Sequence, residues 1–400
     1  MTDRPILIAG GGIGGLTAAL ALARNGVPVR VLEQTAELGA IGYGIQLGPN
    51  VFPMFEKLGL TAAMMKVAVV PRACVMFDAL TGADVARIPG EKMLRERFGA
   101  PYIVIHRVDL HGVLLEACKA TSGIDLQSNV TVTGYTQDSA GVTVTTADGK
   151  KISGAGLIGA DGLRSVVRAQ MLGDGDPKPI GYVAHRTIIP MSEVPAGVQR
   201  DVSAIWIGPS FHLVHYPVRH DTLCNIVAVF RTGTFDEKGD AAFHAAEVER
   251  TYARAHPTIK AMLDRMDLSR RWVISDRDPV RRWSDGRVVI LGDAAHPALQ
   301  TFAQGACMAI EDGVCLGELV AQANGDIAGA FAALVKARGV RTARVQLEGR
   351  MMWEGYHAED VARDVWLDMF SSRSEREVCD CLAWLYDGFD LSQASAARRA

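Results

Sequence analysis

The chain has 400 residues, 48% of them hydrophobic, and a formal net charge of -3, so it can bury a large core spread over two or three domains and lacks the basic footprint of a nucleic-acid binder. Seven cysteines without paired metal spacing read as reduced thiols, and the ten histidines form no metal-ligand set. No apolar run reaches the ~18 residues of a membrane span, and the opening MTDRPILIAGGG breaks into glycines where a signal peptide would stay apolar, so the expected location is the cytoplasm.

The N-terminal segment predicts a strand over 5–9 (PILIA), a helix over 13–25 and a second strand over 27–33 (VPVRVLE), which together form a βαβ unit. Between the first strand and the helix stands Gly10-x-Gly12-x-x-Gly15. Glycines there let the backbone turn tightly and approach a pyrophosphate, whose charge then meets the positive end of the helix. Glu33 ends the second strand, where its carboxylate can accept hydrogen bonds from an adenosine ribose. The fingerprint predicts dinucleotide binding and does not separate NAD from FAD.

Residues 109–120 (DLHGVLLEACKA) predict a helix, followed by alternating strand patterns with DSAG and ADGK turns. From about 180 to 232 strands dominate, among them FHLVHYPV and TLCNIVAVF joined through RHDT. In FHLVHYPV, alternation puts His212, Val214 and Tyr216 on one face and Phe211, Leu213 and His215 on the other, so His212 and Tyr216 can line one cavity. A strand RVVIL at 287–291 leads into GDAAHPALQTFAQGACMAIED, and helical patterns fill most of 305–370. If the dinucleotide is FAD, its ribityl chain and isoalloxazine also need holding: in that loop Gly292 permits close approach and Asp293 can accept a hydrogen bond from a ribityl hydroxyl. Beyond the Pro297 turn, a helix from about 306 would aim its N-terminus at a flavin and stabilise the anion formed on reduction. The aromatics Trp353, Tyr356, Trp366, Trp384 and Tyr386 predict core packing or a subunit contact.

The expected fold is α/β. A Rossmann-like FAD-binding domain, discontinuous over 1–75, 100–178 and 280–345, is interleaved with a mixed-sheet substrate domain over 76–99 and 179–279. A C-terminal helical region covers 346–400.

GGGIGG with Glu33, then GADGLRSVVR, then GDAAHP resemble, in that order, three motifs of the class A flavoprotein aromatic hydroxylases, the para-hydroxybenzoate hydroxylase superfamily. The resemblance covers nearly the whole chain. It implies FAD as the bound cofactor, NADH as a transient electron donor, O2 and a small aromatic acid as substrates, and a homodimer. It places Asp161 and Gly162, with Ser165 and Arg168, near the flavin, Arg107 of HRVDL at the cofactor phosphates, and Gln46 of GIQLGPN beside the isoalloxazine. An Asp-Gly turn before a helix is also an ordinary N-cap arrangement, which leaves a second reading of Asp161. No second GxGxxG is present, in keeping with a nicotinamide that visits without a domain of its own.

Within the superfamily, GPSFHLVHYPVR, GDAAHPALQ and GRMMWEGYHAEDVARD followed by WLYDGF resemble the branch that converts 3-hydroxybenzoate to 2,5-dihydroxybenzoate (gentisate). That resemblance assigns catalysis to His212 and Gln300. It also implies a flavin C4a-hydroperoxide attacked by a ring whose hydroxyl is giving up its proton. A phenol titrates near ~10 and a histidine near ~6.5, so a neutral His212 suits the general base, an effect of about 10² to 10⁴ in rate. Gln300 and Tyr216 would hold the substrate's hydroxyl or carboxylate, with Pro297 in the adjoining turn. Hydroxylases of salicylate and of 6-hydroxynicotinate resemble the same framework, as do binding proteins that reuse it without turnover.

Overall fold

Strands Ile6–Ala9 and Val29–Leu32 flank the helix Ile13–Arg24 in the computed structural model, which describes residues 4–37, 42–235 and 240–392. The two strands pair in parallel, Ile6 opposite Val29 and Ala9 opposite Leu32. Ile6–Ala9 is covered on both faces and reads as a continuous apolar run without alternation, whereas Val29–Leu32 carries the part-exposed Arg30, which pairs with Asp125 at 2.6 Å. They sit inside a six-stranded sheet ordered Ser284–Asp285, Val288–Ile290, Gly156–Gly159, Ile6–Ala9, Val29–Leu32, Ile124–Gln127. Three distant parts of the chain therefore build one sheet.

Helix Gly305–Ala321 packs along Ile13–Arg24. A Cβ at Gly313 would stand 2.8 Å from the amide nitrogen of Ala18, and one at Gly317 would stand 2.6 Å from the Cβ of Ala21, so only glycine allows this approach. Each of Leu16, Leu20 and Leu22 is withdrawn from water in the same core, a burial that stabilises by about 1.5–3 kcal/mol per side chain.

The middle of the chain forms a seven-stranded mixed sheet, ordered Trp272–Asp276, Lys178–Pro190, Leu223–Arg231, Phe211–Val218, Ser203–Gly208, Ala73–Asp78, Asp84–Pro89. Neighbours are antiparallel except Ser203–Gly208 with Ala73–Asp78. The strand Ala73–Asp78 crosses the expected boundary at residue 75 and lies whole in this sheet. One face carries Phe211, Leu213, Ala228 and Phe230 into a core covered by helices Ala241–Thr251 and Pro257–Leu263. The other face carries His212, Val214, Tyr216 and, across the pairing, Val227 and Arg186, and these line a cavity reached also from the six-stranded sheet.

Helix Ile327–Tyr356 runs unbroken for 30 residues through the expected limit of the C-terminal region at 345, and shorter helices Asp360–Ser371, Glu375–Cys381 and Ala383–Tyr386 follow. All seven cysteines are free thiols. No helix among the described residues is long and apolar enough to cross a membrane.

Candidate active site

At one end of the cavity the glycine loop has a separate reason for each of its three glycines. Gly10 takes φ +106°, and a Cβ there would stand 2.4 Å from the Ala160 carbonyl oxygen. A Cβ on Gly15 would stand 2.0 Å from the Gly10 oxygen, so that position serves helix–strand packing. Gly12 has nothing within 4 Å of its missing side chain and lies in the cavity wall, open to a ligand. No side chain caps the N-terminus of Ile13–Arg24 at Gly12 or that of Gly305–Ala321 at Gln304. Both residues line the same cavity, so two sets of uncapped helix N–H donors with their positive dipole ends converge on it. Glu33 stands behind the loop: Oε2 accepts from Gly11 N–H (2.7 Å) and Oε1 from the Thr35 amide and hydroxyl (both 2.9 Å). Arg107 opens helix Arg107–Lys119 and lines the cavity.

The loop from 292 is anchored from below by a buried charge network. Gly292 takes φ +57° and donates to Asp312 Oδ2 at 3.1 Å. His296 Nε2 lies 2.6 Å from that same oxygen, and Arg338 Nε donates to Asp312 Oδ1 at 2.8 Å. Burial alone would raise the Asp312 pKa, but His296 and Arg338 outweigh it and bring it down to about 2. Its neighbour Glu311 accepts from Asn50 (2.8 Å) and from Arg341 Nε (2.8 Å) and pairs with Arg338 at 2.5 Å. This clamp leaves Asp293 facing the cavity, where burial lifts its carboxyl above the usual range against the pull of His296 and Arg107. The trace of this network in the sequence is the adjacent Glu311-Asp312 pair on a largely apolar helix; its basic partners are remote.

At the other end, His212, Tyr216 and Gln300 meet in a cavity of about 720 Å³ whose wall includes the apolar side chains of Ile205, Val214 and Val227. His215 points away, toward Trp206 on the opposite face, as alternation requires. The Tyr216 ring lies against Gly44, where a Cβ would be 2.4 Å from Cε2, and its hydroxyl is hydrogen-bonded to Gln46. Gln46 Oε1 also accepts from Tyr102 and so ties that phenol to the wall. Gln300 Oε1 accepts from Arg186 Nη2 at 2.9 Å, while its Nε2 is buried with no partner, a donor awaiting an acceptor.

Arg186 carries no motif that would single it out in the sequence. It lies on the cavity-facing side of strand Lys178–Pro190, half-buried and without an ion-pair partner among the described residues. Burial pushes its pKa down, with the phenols of Tyr216 and Tyr43 acting in the opposite sense. A guanidinium held this way is ready for an anionic ligand.

Other expected site residues stand behind the wall. Asp161 receives the Ser165 hydroxyl and the amides of Val166 (2.8 Å) and Val167 (3.2 Å), so its carboxylate holds the start of helix Val166–Leu172, and it is the adjacent Ala160, Gly162 and Leu163 that line the cavity. Arg168 is wholly buried and binds the Ala294 and Ala295 carbonyls at 3.1 and 2.8 Å, which braces the 292 loop. Pro297 offers its carbonyl to Gln346 Nε2 (2.9 Å), and past Asp293 the loop returns to the cavity wall at Ala298.

The FAD binding domain family matches residues 3–330. The 3-hydroxybenzoate 6-hydroxylase of Polaromonas naphthalenivorans (strain CJ2) is 43% identical to this chain over 384 residues, 96% of each. That of Klebsiella oxytoca is 40% identical over 95% of this chain and 96% of its own. Among solved structures, Klebsiella pneumoniae HpxO complexed with FAD and uric acid is similar with a TM-score of 0.84 at 26% identity, over 96% of this chain and 98% of that one.

Proposed function

The chain belongs to the FAD binding domain family and is an FAD-dependent aromatic monooxygenase, and on that premise we propose that it converts 3-hydroxybenzoate to 2,5-dihydroxybenzoate with NADH as the electron donor. The balance is one aromatic acid, O2, NADH and a proton giving the hydroxylated acid, water and NAD+. The observation that carries the reading is one sheet face and one loop bringing a cation (Arg186), an unpartnered amide donor (Gln300 Nε2) and an imidazole (His212) to the same cavity.

The residues present fit the cofactor. The pyrophosphate would meet the open Gly12 and the N-terminus of its helix, the ribityl chain Asp293, and the isoalloxazine the backbone around Gln46 and the uncapped N-terminus at Gln304. When bound, the flavin takes up electrons from the nicotinamide and delivers an electrophilic oxygen derived from O2. The remaining work falls to the protein. Arg186 pairs with the substrate carboxylate, a planar fork suited to that group, and Tyr216 borders the same space. Gln300, its Oε1 held by Arg186, donates from Nε2 to the substrate's hydroxyl oxygen. His212 accepts the phenolic proton as the ring attacks, which raises electron density para to that oxygen. Ile205, Val214 and Val227 keep water from the reacting atoms.

The reading is tested by incubating the purified yellow protein with NADH and 3-hydroxybenzoate, salicylate or 6-hydroxynicotinate, following oxygen uptake and identifying products. Gentisate from the first substrate is the expected result. Hydrogen peroxide without a hydroxylated ring, or a preference for either other acid, would overturn the substrate assignment.

A further inference from the structure

His357 stands in the WEGYHAED segment, at the end of helix Ile327–Tyr356, and nothing in the reading above uses it. Its ring packs against His212 across a sequence separation of 145 residues, with His212 Nδ1 2.8 Å from His357 Nε2. His357 Nδ1 in turn lies 2.8 Å from the Trp353 carbonyl oxygen. We propose that His357 is a positioning residue that fixes the tautomer of His212 and leaves Nε2 of His212 as the bare, basic nitrogen for the substrate hydroxyl. The inference rests on the reading of His212 as the general base.

The chain of donors has one direction. A carbonyl oxygen only accepts, so the proton between Trp353 and His357 sits on His357 Nδ1. Burial drives the His357 pKa down to about 4 against the pull of that same bond, so the ring is neutral and carries one N–H. Its Nε2 is therefore an acceptor, and the proton of the 2.8 Å contact belongs to His212 Nδ1. Burial, and then His357, hold the His212 pKa well below its ordinary value, so it too is neutral with Nε2 unprotonated. Titratable phenols packed on the pair are Tyr182, centroid 4.6 Å from His357, and Tyr356, centroid 6.2 Å from His212; burial holds both above the ordinary phenol value.

The same contacts fix the ring in space. Trp353 lies edge-on to His212 with centroids 5.5 Å apart at 88°. The His357 carbonyl accepts from Ser210 N–H (3.1 Å), Ser210 Oγ donates to Glu359 (2.5 Å), and the Tyr252 hydroxyl donates to the His212 carbonyl (2.9 Å). Mere packing of two buried rings would not need the bonds to run in one sense from a carbonyl to the cavity wall.

The test uses the holoenzyme with ¹⁵N-labelled histidine, wild type and the variants His357→Leu, His357→Gln and His212→Ala. NMR of the resting enzyme reads the tautomer without turnover. His212 is expected protonated on Nδ1 in the wild type, and that preference should be lost in His357→Leu. His357→Gln keeps an oxygen acceptor facing Nδ1 and should keep the tautomer. Hydroxylation should fall on the order of 10²-fold in His357→Leu, recover as pH rises toward the phenol value of ~10, and survive largely in His357→Gln. An Nε2-protonated His212 in the wild type overturns the inference even if no variant folds. Loss of hydroxylation in His212→Ala but not in His357→Leu leaves the base assignment standing and removes His357. Full activity in both removes the base assignment and the inference with it.

Discussion

Replacing Arg186 by methionine should separate acidic from neutral aromatic ligands. The guanidinium has Gln300 Oε1 at 2.9 Å and no carboxylate partner among the described residues, so a bound acid would complete its pairing. Two unit charges ~4 Å apart attract by about 4 kcal/mol at an effective dielectric of ~20. Net of desolvation, hydrogen bonds to a charged group retain about 1.5–3 kcal/mol. At ~1.4 kcal/mol per tenfold, Arg186→Met should weaken 3-hydroxybenzoate roughly 10- to 100-fold. Methionine keeps an apolar stem of similar reach, so 3-hydroxybenzamide should lose only what the freed Gln300 costs, about 1 kcal/mol or fivefold, a loss shared by both ligands. Titration of the oxidised holoenzyme, followed by the perturbation of its flavin absorbance, gives both dissociation constants. Arg186→Lys should fall between, since it keeps the charge and loses the fork. Equal losses for acid and amide would show that the carboxylate binds elsewhere.

The glycine loop offers a contrast. Gly12→Ala meets no protein atom within 4 Å and should leave the apo-protein within about 0.5 kcal/mol of wild type while flavin retention collapses. Gly15→Ala, 2.0 Å from the Gly10 oxygen, should lower the thermal midpoint of the apo-protein itself, and scanning fluorimetry with and without FAD reads both. Arg338→Met leaves Glu311 and Asp312 buried without their shared cation and should cost about 3–5 kcal/mol in urea unfolding; a loss under about 1 kcal/mol would contradict the network. Acid should destabilise the fold early. His185, His215 and His357 are buried with pKa values near about 4, against ~6.5 in the unfolded chain. Their neutral burial stabilises fully above pH ~6.5 and is lost as pH falls toward about 4, because the unfolded chain takes up protons first. Three such groups give a slope of up to about 4 kcal/mol per pH unit. Urea midpoints between pH 7 and 5 should show it, and a flat profile there would count against it.

Much of the glycine-loop end of the cavity was legible in the chain, because short-range rules govern it. Gly10, Gly12 and Gly15 between a strand and a helix, and the Gly292-Asp293 corner after RVVIL, are turn chemistry confined to a few neighbouring residues. The period of two in FHLVHYPV likewise puts His212 and Tyr216 on one face and His215 on the other without any tertiary contact. At Asp161 local rules do not decide: an Asp-Gly before a helix fits a cofactor wall and an N-cap alike, and in the fold the carboxylate is engaged by Ser165, Val166 and Val167. The partners of the site's charged and polar side chains lie beyond local rules. Arg186 stands 114 positions from Gln300, His357 145 from His212, and Arg338 26 from Asp312. In the sequence Arg186 is one cation among 42, and His357 one imidazole among ten. Their neighbours along the chain determine the strand or helix each belongs to, but a side chain's electrostatic partner is settled only when the two sheets and the long C-terminal helix close on one another and exclude water between them.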